Sequence, residues 1–123
     1  MIVIDTSALI DSLSGPRRSL PRLTAFIESG ERLLLPALVL YEWLRGPRVP
    51  QELRVQEELF PRDLALPFGH EEAAIAAELY RGVRSACGRE IDLAIAATAL
   101  AREAALWALN HQDFRDIPSL RLV

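Results

Sequence analysis

The sequence predicts an α/β fold with a mainly parallel sheet of four or five strands. Short apolar runs of strand length, "IVI", "RLLLP" and "ALWALN", alternate with longer stretches of helical periodicity. The first run is apolar without alternation, as a strand buried on both faces requires. Helix-ending signals fall between the segments, with Gly30 after one helical stretch and Gly46-Pro47 after another. At 123 residues the chain is expected to form one domain, residues 1–123, with a core of its own.

Taken in order, residues 2–4 are the first strand and "SALIDSL" a short helix, followed by a turn at 14–19. Leu20, Leu23, Phe26 and Ile27 set a helix within 19–29. Residues 32–36 form the second strand, and Pro36 opens a helix over 37–46. An acidic amphipathic helix covers 50–60. Residues 62–68 are a third strand candidate. A long helix runs from His70 to Cys87, where Gly88 breaks it, and an almost wholly apolar helix covers 89–104. Residues 105–110 are the fourth strand and "LRLV" a possible fifth.

Composition excludes several chemistries. All 14 basic residues are arginine, so no P-loop lysine or Schiff base is available. Net charge is -3, which gives no general attraction to nucleic acid. The lone Cys87 cannot close an internal disulfide and is expected as a small buried residue. No secretory leader is visible and no apolar run is long enough to span a bilayer, so a cytoplasmic protein is expected. His70 and His111 stand far apart without a zinc-type motif.

Four of the 17 acids stand in apolar surroundings: Asp5 at the end of the first strand, Glu42 among Leu38, Val39, Trp43 and Leu44, Asp92 in the apolar helix, and Asp113 before Phe114. Each has an ordinary alternative. Asp5 can cap the next helix, Glu42 can pair with Arg45, Asp92 can favour a helix dipole, and Asp113 with Asn110 can be a polar loop. Taken jointly, they suggest one acidic pocket. Carboxylates brought together repel, and a hard divalent cation such as Mg²⁺ or Mn²⁺ relieves that repulsion. A dehalogenase-type phosphatase would want an Asp where Ser7 stands, and a receiver domain would want a lysine.

"IVIDTSALI", "LYEWLRG", "EIDLAIAATAL" and "LNHQDFRDIPSLRLV", in that order, cover the chain. This set resembles the PIN-domain family and, within it, the VapC-type toxins of toxin–antitoxin pairs. The resemblance implies a three-layer α/β/α domain and a metal-dependent endoribonuclease leaving 5′-phosphate and 3′-hydroxyl ends. Its acidic site maps onto Asp5, Glu42, Asp92 and Asp113 as ligands of Mg²⁺ or Mn²⁺, with Thr6, Ser7, Asn110 and Asp116 supporting. The family's hydroxyl near the last motif is missing, because Ala108 stands there. Thr6 or Ser7 is then expected to steady Asp5. RNA, a cognate antitoxin and a second copy of the chain are the implied partners. Arg17, Arg18, Arg22, Arg45 and Arg48 are candidate phosphate contacts, and Leu20, Leu23, Trp43 and Leu44 are candidates for an interface or for core. The competing expectation is a catalytically weakened module of the same fold that binds RNA or protein.

Overall fold

The structure is a computed structural model describing residues 1–123. It is a three-layer α/β/α arrangement in the order β1 (Ile2–Ile4), α1 (Thr6–Leu13), α2 (Leu20–Glu28), β2 (Leu33–Leu34), α3 (Ala37–Arg45), α4 (Pro50–Leu59), α5 (His70–Gly82), α6 (Glu90–Ala101) and β3 (Ala105–Trp107). One-turn 3₁₀ helices lie at Arg62–Leu64 and His111–Asp113. No helix is long and apolar enough to cross a membrane.

β1 is the centre of a parallel sheet of order β2-β1-β3, with Ile2 opposite Leu33 and Ala105, and Ile4 opposite Trp107. Ile2, Val3 and Ile4 are all buried, each worth about 2 kcal/mol of apolar transfer. The chain first winds to one side of β1, to β2, and later to the other side, to β3. The crevice beyond the carboxyl end of β1 is therefore a switch point, the usual place for a ligand in such sheets.

α6 closes the core along α5 and over β1 and β3. Leu93 to Ala99 are buried without exception. Four alanines in that stretch let the helix lie close to its neighbours, and Thr98 hides its hydroxyl in a bond to the Ala94 carbonyl at 3.0 Å. On β3, Trp107 meets Phe26 of α2 edge to face with ring centroids 5.2 Å apart.

Several sequence expectations are corrected. Residues 62–68 do not form a strand. Pro61 accepts from the Leu64 N–H to make a 3₁₀ turn, and only Leu66 bridges, in parallel, to Pro36. The C-terminal "LRLV" likewise contributes one bridge, Leu122 to Leu106. The sheet thus has three strands extended by a single bridge on each side. The fourth expected strand ends at Trp107, not 110. α5 stops at Gly82, five residues short, because Val83 turns extended and Ser85 is left-handed (φ 53°). Cys87 accordingly lies exposed in a loop and is not a buried core residue. α6 spans 90–101 where 89–104 was expected, and Glu103 takes a left-handed turn into β3. Leu23 and Trp43 are core, whereas Leu44 is exposed.

Candidate acidic active site

Asp5 is the residue after β1 and the N-cap of α1. Its N–H still belongs to the sheet, donating to the Trp107 carbonyl at 2.9 Å. Its Oδ2 accepts from the Ser7 hydroxyl at 2.7 Å and from the Ser7 N–H at 3.3 Å. Ser7 Oγ in turn accepts from the Leu109 N–H at 3.1 Å. One serine therefore ties the carboxylate to the chain leaving β3. Burial pushes the Asp5 carboxyl upward, against the pull of the Ser7 and Thr6 hydrogen bonds, and the Glu42 charge adds to the rise.

Glu42 projects from the last turn of α3, which is anchored by buried Val39 and Trp43. Its Oε1 accepts from Thr6 Oγ1 at 2.5 Å and its Oε2 from Arg45 Nη2 at 3.2 Å. The helix-local ion pair and the long-range hydrogen bond coexist. The same Arg45 stacks over the Tyr41 ring.

Asp92 lies in the first turn of α6, half-buried. Its carboxyl is pushed up to about 6, first by desolvation and then by the charges of Asp5, Asp113 and Glu42, with Arg89 pulling the other way. Asp5, Asp113 and Glu42 are therefore all within electrostatic reach of Asp92. Asp113 ends the 3₁₀ turn after β3 and is exposed. Asp5 and Glu42 are held by hydrogen bonds, whereas no side-chain hydrogen bond engages the carboxylates of Asp92 or Asp113.

A family model described as PIN domain matches residues 2–120. The chain belongs to the PIN domain family. It is 32% identical over 123 residues to "Ribonuclease VapC19" of Mycobacterium tuberculosis, covering 98% of both chains. A toxin-antitoxin complex from Klebsiella pneumoniae is similar in structure, with TM-score 0.78 and 25% identity over 100% of this chain and 96% of that one. VapBC2 from Rickettsia felis, bound to a DNA fragment from their promoter, shares the fold with TM-score 0.74 and 20% identity, over 100% and 98% of the two chains.

Within this PIN domain, Ala108 is buried and offers no hydroxyl to Asp5. Ser7 contacts Asp5 directly and also reaches the adjoining backbone of β3. Thr6 is committed to Glu42 instead. Asn110 precedes the 3₁₀ turn, exposed and without a capping bond from its side chain. Asp116 pairs both its oxygens with Arg89, at 2.7 and 2.9 Å, and so binds the protein and not the acidic group. His111 spends a ring nitrogen on the Val123 carbonyl at 3.0 Å. Arg22 and Arg48 lie over aromatic rings, Arg22 on Phe26 and Trp107, Arg48 on Trp43. Arg17 and Arg18 are exposed.

Sequence reasoning missed Arg89. It immediately precedes α6, and its partners lie 24 and 27 residues downstream, beyond any local pattern.

The donor set suits a hard divalent cation. It is all oxygen, it is crowded with negative charge, and it includes two carboxylates with no protein partner. As the side chains stand, no three acidic, histidine or cysteine groups close on a single point. Asp113 is exposed, and its carboxylate has no hydrogen-bond partner in the protein.

Proposed function

We propose that this PIN domain is a metal-dependent endoribonuclease of the VapC type, active in the cytoplasm and restrained by a cognate antitoxin. The observation that carries this reading is that Asp92, near the sheet's switch point, is within electrostatic reach of Asp5, Glu42 and Asp113 and is raised to about 6 by burial and by these acidic neighbours. The similarity to a protein named as a ribonuclease, and to toxin–antitoxin complexes, supports the substrate class and the partner.

Asp5, Asp92 and Asp113 would hold Mg²⁺ or Mn²⁺, with Glu42 as a further or water-mediated ligand. Such a cation, when bound, lowers the pKa of a coordinated water and screens charge on the phosphoryl oxygens. The chain's own residues do the positioning. Ser7 fixes the Asp5 carboxylate, and Thr6 with Arg45 fixes Glu42. Arg17 and Arg18, exposed after α1, would be candidate contacts for RNA phosphates. An antitoxin Arg or Lys would complement the same acidic pocket.

A second copy of the chain would cover an apolar groove of about 570 Å³ between α5 and α6, lined by Phe68, Ala77, Tyr80, Ile91 and Leu93. Arg81 and Glu90 border it, a pair of opposite charges suited to a two-fold contact.

The test is cleavage of RNA by purified, antitoxin-free protein with Mg²⁺ or Mn²⁺. Asp5→Ala and Asp92→Asn are expected to abolish cutting. Cleavage that survives EDTA, or a mutant as active as wild type, would refute the proposal. Ala108 favours the weakened-module reading. A silent wild type that gains large activity from Ala108→Thr would establish it.

A further inference from the structure

We infer that Arg89 is a positioning residue that clamps the Asp113 loop onto the start of α6 and thereby sets the spacing of the two unpartnered carboxylates, Asp92 and Asp113. The inference rests on the proposed cation site.

Four hydrogen bonds leave this one guanidinium. Nη1 donates to Asp116 Oδ2 at 2.9 Å and to the Arg84 carbonyl at 3.2 Å. Nη2 donates to Asp116 Oδ1 at 2.7 Å and to the Asp113 carbonyl at 3.0 Å. Arg89 is three residues before Asp92 on the same chain segment, so the fork joins the two halves of the acidic group. Phe114 and Ile117 already bury the loop's apolar side chains. Apolar contacts hold a loop without fixing its orientation, whereas a planar fork on a carboxylate fixes both distance and plane. The bond to the carbonyl of Asp113 is the one that reaches the site, because it fixes the backbone from which that carboxylate projects.

The sign of one measurement separates positioning from simple electrostatics. The Arg89 charge acts on both Asp92 and Asp113, and a positive charge there opposes a bound cation. If charge were all that mattered, Arg89→Gln would bind a cation more tightly and Arg89→Lys would bind it unchanged. A clamp requires both variants to bind it more weakly, since neither can make the fork.

The experiment titrates Mn²⁺ alone into the full-length, metal-free protein by calorimetry, and measures amide hydrogen exchange in the same metal-free samples. Arg89→Gln and Arg89→Lys are expected to lose about tenfold or more in Mn²⁺ affinity. Exchange is expected to rise over residues 111–117 while β1 and α6 stay protected. Mn²⁺ affinity equal to or above wild type in Arg89→Gln, or a uniform rise in exchange, overturns the clamp. If a variant at Arg89 does not fold, Asp116→Asn breaks the same fork from the other side and is held to the same two readouts. If wild type itself binds no Mn²⁺, the proposed function fails, and exchange alone decides the clamp. A selective rise over 111–117 then supports it, and no rise overturns it.

Discussion

At Asp92 a half-buried carboxylate sits among three other acids, and its folded-state pKa of about 6 lies above the ordinary value of 3.8. The metal-free folded protein therefore binds this proton more tightly than the unfolded chain does. The associated stability is fully present below about pH 4 and is lost as pH rises through 6. Solvent screening at this half-exposed position limits the effect to about 1 kcal/mol. Asp92→Asn is accordingly expected to raise the melting temperature of metal-free protein at pH 7 by a few degrees and to leave it unchanged at pH 4. RNA cleavage should run the opposite way, falling as pH drops from 7 towards 5, because the protonated carboxyl cannot ligate. Thermal melts and initial rates across that range check both signs. Ser7→Ala should lower Mn²⁺ affinity about 10- to 100-fold, since Asp5 loses the hydroxyl that orients it. Calorimetry reads this directly, and Ser7→Thr is expected to recover much of the loss. Asp5, Glu42 and Asp92 stand out in the sequence because each interrupts or ends an apolar run, whereas Asp113 stands out only by its place before Phe114 after a buried strand. Arg89 and the bond from Leu109 N–H to Ser7 were not, because both depend on chain segments that only the folded topology brings together.

Among the elements, α6 shows how far pattern reading reaches. Its almost wholly apolar character announced burial, while the close packing of its alanines emerged only in the fold. Ala96→Leu, at a position with no exposed surface, is expected to cost about 1–3 kcal/mol by overpacking the seam with the sheet, seen as a lowered midpoint in urea. The element order was also legible, since caps and breakers such as Asp5, Gly30 and Pro36 act locally. What failed was the outer sheet. Residues 62–68 carry apolar β-formers, but Pro67 has no N–H to give a ladder, and Pro61 promotes the turn before it. A strand reduced to one bridge at Leu66 has almost no sequence signature. The end of α5 was misplaced because Gly88 looked the stronger breaker, while Gly82 with β-branched Val83 already suffices.

For the whole molecule, the groove between α5 and α6 leaves Phe68, Tyr80 and Ile91 more than a third exposed. Tyr80→Glu, remote from the acids, is expected to convert a dimer to a monomer in sedimentation equilibrium while the circular dichroism spectrum is unchanged. A wild type that sediments as a monomer at the same concentrations would remove the second copy from the proposal. The strand order has a consequence in time. β1 precedes both its neighbours in the chain, which are residues 33–34 and 105–107, and Asp5 is steadied through Ser7 by an amide at position 109. Contacts of such sequence separation form late in folding. Asp5 therefore gains its support from Ser7 and Leu109 only when segments 102 residues apart have come together. The acidic pocket is thus a product of the whole fold, and a fragment that ends before β3 has no means of building it.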